Sequence, residues 1–260
     1  MPRHTPFAAA LVLAGVAAAS SGCLGFPDAE ADPVRPAVTP SVSRSPAPPP
    51  AKDDVVAALT KLMSGQYTFH VVSNLPSEDD GKVDASGGFD HAGKIYEENV
   101  TITGGKYPGH IHRIVFDKDL YSRADEKDKW VHLDLARAKH PDFDGVDMEN
   151  PTGLPQFTSG IVSATKTGPT SYKGLFDPMS GEGEFLPVGH PSIVAFYTKD
   201  VPFTMEVDAQ GNVTAVHVEM EQTDKPAVVM DTTFANHGKP LATQRPAKNK
   251  TGEADSMYYN

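Results

Sequence analysis

The stretch VPFTMEVDAQGNVTAVHVEME, residues 201–221, changes chemistry at almost every step. Phe203, Met205 and Val207 take every second position, and after an interruption Val216, Val218 and Met220 do the same. Thr204, Glu206, Asp208, His217 and Glu219 stand between them. Successive side chains of a strand point to opposite faces, so a period of two makes strands dry on one side and wet on the other. The interruption, Asp208-Ala-Gln-Gly-Asn212, has turn chemistry and closes the two strands into an antiparallel hairpin.

The pattern recurs on both sides of this hairpin. In GQYTFHVVS (65–73), Tyr67, Phe69 and Val71 alternate with Thr68, His70 and Val72. Further strands are expected at 82–90, 94–103, 110–117, 119–123, 129–134, 171–177 and 227–234, the last with Val228, Met230 and Phe234 on its apolar side. DHAG (90–93) and ADEKDK (124–129) are turn signals. Connections this short make hairpins, since a parallel crossover needs a dozen residues or more. A meandering antiparallel sheet follows. Asp53 and Asp54, then Val55, Val56, Leu59, Leu62 and Met63, predict an N-capped amphipathic helix ending at Gly65. Further helix is expected within 135–166 and around 190–198. With no second full set of strands, helices and long loops must cover the dry face.

The chain has 260 residues, of which 39% are hydrophobic, with 23 Pro and 22 Gly. That is material for one domain with tails. Its formal net charge is −11, a balance that repels nucleic acid and anionic head groups. A single cysteine, Cys23, excludes an internal disulfide framework and a thiolate metal cluster.

Met1-Pro-Arg-His4 is a short positive segment, and FAAALVLAGVAAA (7–19) is an apolar run of signal-peptide length, too short to span a bilayer. Ser20, Ser21 and Gly22 then lead to Cys23. This order resembles the lipobox of bacterial lipoproteins, which implies a signal at 1–22 that is removed and a Cys23 that is acylated. More than one acyl chain is what stable anchoring requires. Residues 23–51 read as the lipidated cysteine and a Pro/Ala/Ser-rich tether, spanning on the order of 80 Å if extended as polyproline II. Residues 52–236 form the domain, and 237–260 read as a polar, disordered tail, in which Tyr258 and Tyr259 leave room for some terminal docking.

Three segments, DLYSRADEKDKWVHLD (119–134), TGPTSYKGLFDP (167–178) and the hairpin 201–221, together with the lipobox and the first helix, resemble the actinobacterial LppX/LprA/LprF/LprG-like lipoproteins. More distantly they are similar to the LolA/LolB carriers. The resemblance implies an α+β fold, a strongly curved antiparallel half-barrel with helices packed on its concave face, enclosing a site for the acyl chains of a lipid or acylated molecule. The dry-face positions Phe69, Val71, Ile114, Phe116, Phe203, Met205, Val207, Val216, Val218 and Met220 are the candidates to line it, and each also reads as plain core. The implied protein is a monomer on the extracytoplasmic face of the cell membrane, held by Cys23, that binds its ligand without catalysis and without a cofactor. The rival reading is an envelope interaction or sensor module with a filled core, presenting its acidic face and residues 134–167 to a protein partner.

Other chemistry finds less support. His110 and His112 share one strand face, but no third metal ligand is marked. HPDFDGVDME (140–149) clusters Asp142, Asp144, Asp147 and Glu149 without EF-hand spacing. SGEGEF (180–185) has no lysine after it and reads as a turn, not a phosphate loop. No G-x-S-x-G or H-E-x-x-H element is present.

Overall fold

The alternating segments pair into a single open sheet. In a computed structural model, which describes residues 49–74, 81–105, 108–139, 151–178, 200–222 and 225–259, twelve strands lie in the order β12-β6-β5-β4-β3-β2-β1-β11-β10-β9-β8-β7. They are β1 (Gln66–Asn74), β2 (Lys82–Asp90), β3 (Ile95–Thr103), β4 (Gly109–Phe116), β5 (Asp119–Arg123), β6 (Trp130–Asp134), β7 (Ile161–Lys166), β8 (Ser171–Phe176), β9 (Val201–Val207), β10 (Val213–Gln222), β11 (Lys225–Ala235) and β12 (Thr251–Glu253). All neighbours are antiparallel except β12, which pairs parallel with β6. The expected hairpins form at 90–93, 124–129 and 208–212. In the last, Asp208 accepts hydrogen bonds from the Gln210 and Asn212 backbone amides, and Gly211 takes a φ of 74°.

One face of the sheet is the core. Tyr67, Phe69 and Val71 of β1, Val83 and Ala85 of β2, Phe203 and Met205 of β9, Val216, Val218 and Met220 of β10, and Val228, Met230 and Phe234 of β11 join one buried cluster. Each fully buried side chain of this size contributes about 1.5–3 kcal/mol. Helix α1 (Lys52–Met63) adds Val55, Leu59 and Leu62, a stripe at i, i+4 and i+7, and lies against β1, β7 and β10. Helix α2 (Leu154–Gly160) adds Leu154 and Phe157, whose ring meets Phe176 at 4.9 Å and Phe203 at 5.3 Å.

Four expectations need correction. The α1 N-cap is Ala51, which offers no capping side chain, and Asp53 and Asp54 lie within the first turn, where their charge favours the helix dipole. Within 135–166, where some helix is expected, the described residues hold the short α2 and then, not foreseen, the edge strand β7. The tail read as disordered is ordered in its described part, 237–259: it holds β12 and two 3-10 turns, Lys248–Lys250 and Ser256–Tyr259. Ile114 and Phe116 lie on the face opposite the core. Their register partners Glu97, Tyr121 and Ile95 belong to that outer face, while Val115 pairs with the core residues Tyr96 and Leu120.

The tail explains why Ile114 is nonetheless buried. From the end of β11 it crosses the outer face as a strap. Leu241 sits over Gly88, where an added Cβ would come within 2.6 Å of its Cδ2. Thr243 donates to Glu97 at 2.5 Å, and the Arg245 guanidinium lies 4.7 Å from the Phe116 ring centre and binds Asp119 and Tyr121. Glu253 of β12 then reaches His132. The strap covers an apolar strip that alternation alone would leave in water. At the other edge, Ala51 N–H donates to Ala164 O and Lys166 N–H to Pro49 O, so the backbone of β7 is partly paired.

Candidate functional site

Of the ten residues picked as a ligand-lining face, Phe69, Val71, Phe203, Met205, Val216, Val218 and Met220 share the core face and are buried there. Val207 is half-buried against the same cluster. Ile114 and Phe116 are on the other side of the sheet and do not join them. Cys23, the segments 140–149 and 180–185 and the helix expected at 190–198 lie outside the described residues.

Across β1 to β6 the core face is not uniform. One row of paired residues runs Phe69, Gly87, Glu98, Arg113, Ser122, Val131. It begins at a buried ring and ends at Val131, which is 43% exposed. Along this row the core face is sealed over β1 to β3 and opens toward β6, while the neighbouring row, Tyr96, Val115, Leu120 and Leu133, stays buried as far as β6. Ile102 and Ile111 are half-buried and pack against the core.

A polar network sits at that boundary. Arg113 Nη1 donates to Glu98 Oε1 at 2.7 Å, and the Tyr96 hydroxyl donates to Glu98 Oε2 at 2.9 Å. Glu98 is 6% exposed, whereas the Arg113 side chain keeps 25% of its surface. Arg113 Nε is buried without a partner. Burial, with the Glu98 charge beside it, raises the Tyr96 hydroxyl well above its ordinary pKa. Burial likewise raises Tyr67, whose hydroxyl faces Thr152 without a hydrogen bond of ordinary geometry. Periodicity does not find this network: with Ile114 and Phe116 taken as the apolar phase of β4, Arg113 falls on the wet side, and only the pairing of β3 with β4 brings it to Glu98.

On the outer face, His110 and His112 do share a side, and the ring nitrogens of both are engaged. His110 Nε2 is 2.6 Å from Asn99 Oδ1 and its Nδ1 3.2 Å from Ala124 O. His112 Nε2 donates to Glu97 at 2.9 Å, and Arg123 Nη2 donates to His112 Nδ1 at 3.3 Å. The His112 bond, helped by Thr243 and opposed by burial, holds Glu97 below the usual carboxylate range. Among the described residues no group of three or more His, Cys, Asp or Glu is placed to hold a metal. Nor is any described helix long and apolar enough to cross a membrane.

Two cavities stand apart from the core face. One, ≈ 500 Å³, lies over the outer side of β7 to β10 and is lined in part by Lys173, Leu175, Pro202, Thr204, His217 and Glu219. The other, ≈ 320 Å³, is at the C-terminal end of α1 beside Asn212 and His237.

No family model matches the chain, and no curated protein matches it. Among solved structures, a LolA superfamily protein of Nitrosomonas europaea is similar over 75% of this chain and 96% of its own, with 9% sequence identity and a TM-score of 0.23.

Proposed function

We propose that this chain is a non-catalytic, extracytoplasmic lipoprotein, anchored to the cell membrane by acylated Cys23, whose sheet bends into a half-barrel and binds the acyl chains of a lipid or lipidated molecule. The observation that carries this reading is the sheet itself: a long open sheet with one largely apolar face, broken by the Glu98–Arg113 pair and exposed at Val131. The lipobox-like start, the tether and the likeness of 119–134, 167–178 and 201–221 to the LppX/LprG-type lipoproteins support it. Each acyl CH₂ removed from water contributes about 0.8 kcal/mol, so a chain of about 15 carbons offers on the order of 10 kcal/mol before ordering costs. Bound at such a face, the ligand moves with a monomeric domain through the envelope.

The tight burial of Phe69, Met205 and Met220 favours a second reading, an envelope interaction or sensor lipoprotein with a filled core. Native mass spectrometry of the full chain, gently extracted from its producing cell, separates the two. A stoichiometric acylated ligand is expected. A chain that emerges empty, with exchange-resistant amides throughout the core face, overturns the carrier reading in favour of the second.

A further inference from the structure

We infer that Arg113 is the head-group anchor of the core face and that the ligand is an anionic amphiphile, its carboxylate or phosphoryl oxygens held by the guanidinium. This rests on the lipid-binding reading above and names the chemistry of its polar end.

Arg113 and Glu98 form an ion pair on an otherwise largely apolar surface. Desolvating two charges is costly, and a hydrophobic pair of similar volume is often as stable or more so. The geometry shows what the pair leaves available. Both Glu98 oxygens are occupied, one by Arg113 and one by Tyr96, so the carboxylate is satisfied and fixed. Arg113 is not. Its hydrogen bond to Glu98 uses one of five N–H groups, and Nε is an orphaned buried donor, the kind of atom that marks a missing partner. A planar guanidinium gripped on one edge is preorganised to take an oxyanion on the other.

Position supports the same assignment. Arg113 stands between the sealed part of the face and the exposed Val131, with the Ser122 hydroxyl between them in the row. An amphiphile whose chains lie along Ile102, Ile111 and the apolar interior brings its head group to this boundary. The chain as a whole carries a formal net charge of −11, so a cation at the boundary also sets which end of the ligand stays there.

The full lipidated chain, extracted in mild detergent, is compared by native mass spectrometry with R113Q and with the double variant E98Q/R113Q. The double variant removes both charges, keeps a hydrogen-bonding amide at each position, and covers the case in which R113Q leaves Glu98 too poorly paired to fold. The wild type is expected to carry an acylated anion, with the masses distinguishing a fatty acid from a phospholipid. The folded variant is expected to lose at least ten-fold of it while still accepting neutral diacylglycerol. If the wild type carries only neutral lipid, or the double variant keeps its anion, the anchor is wrong and the carrier reading survives. If the wild type carries no lipid, both fall.

Discussion

Gly174 shows how closely single residues are fitted. A Cβ there would lie 2.3 Å from the Ser163 carbonyl oxygen and 2.5 Å from Phe203 Cε1, so the Phe203 ring occupies space that any other residue would claim. Gly174→Ala is expected to cost about 1–3 kcal/mol, as overpacking does, and to appear as a lower denaturation midpoint with an unchanged slope. The β4 residues Ile111 to Phe116 show the limit of such reading. Apolar side chains occur in both phases of this strand, and the core phase contains Arg113, which steers a period-two reading toward Ile114 and Phe116. Nothing local in the strand reveals that a charge faces the core while an isoleucine on the other face is covered from outside.

At the scale of elements, the strap is the part that sequence patterning missed. It is polar and short of apolar periodicity, and what orders it is a set of bonds to distant strands. The His132 ring joins two of these elements, with Nε2 donating to Asp119 of β5 at 2.9 Å and Nδ1 to Glu253 of β12 at 3.0 Å, while the Tyr121 ring lies 4.9 Å away and Arg245 binds the same Asp119. Burial works against the charged ring, but the two carboxylates outweigh it and raise the His132 pKa above its ordinary 6.5. Arg245 and His132 hold Asp119 below its ordinary 3.8. The His132 contribution is complete below 6.5 and fades as pH rises through the raised value. The Asp119 contribution is present above 3.8 and fades as pH falls through the lowered one. The strap is therefore held most firmly between these pH values and loosens on the alkaline side. Trp130 is the chain's single tryptophan and pairs with Thr251 of β12, so its fluorescence reports the change. A transition on the alkaline side of the ordinary histidine pKa is expected in the wild type, and a flat trace in His132→Gln. A transition that persists in the variant would remove His132 from the latch.

For the whole molecule, the proposed anchor and the acidic domain oppose each other. From Cys23 onward 34 acidic side chains face 22 basic ones, so net charge does not draw the domain to an anionic membrane surface, and under the proposal it is the acyl chains on Cys23 that keep it there. Labelling with a fatty-acid analogue is expected to mark the wild type and to leave Cys23→Ala unmarked and in the soluble fraction. Equal label in both would place the anchor elsewhere. The sequence by itself determined the strand menu and the hairpins, with β2 and β5 at the expected bounds and β1, β9, β10 and β11 facing the core in the expected phase, because alternation is a local property and one wrong step would expose a whole face. Only the tertiary structure decided the phase of β4, the strand β7, the parallel strand β12 and the meeting of Glu98, Tyr96 and Arg113. Each of these depends on which distant segment covers which face, and that is a matter of burial between elements, not of periodicity within them.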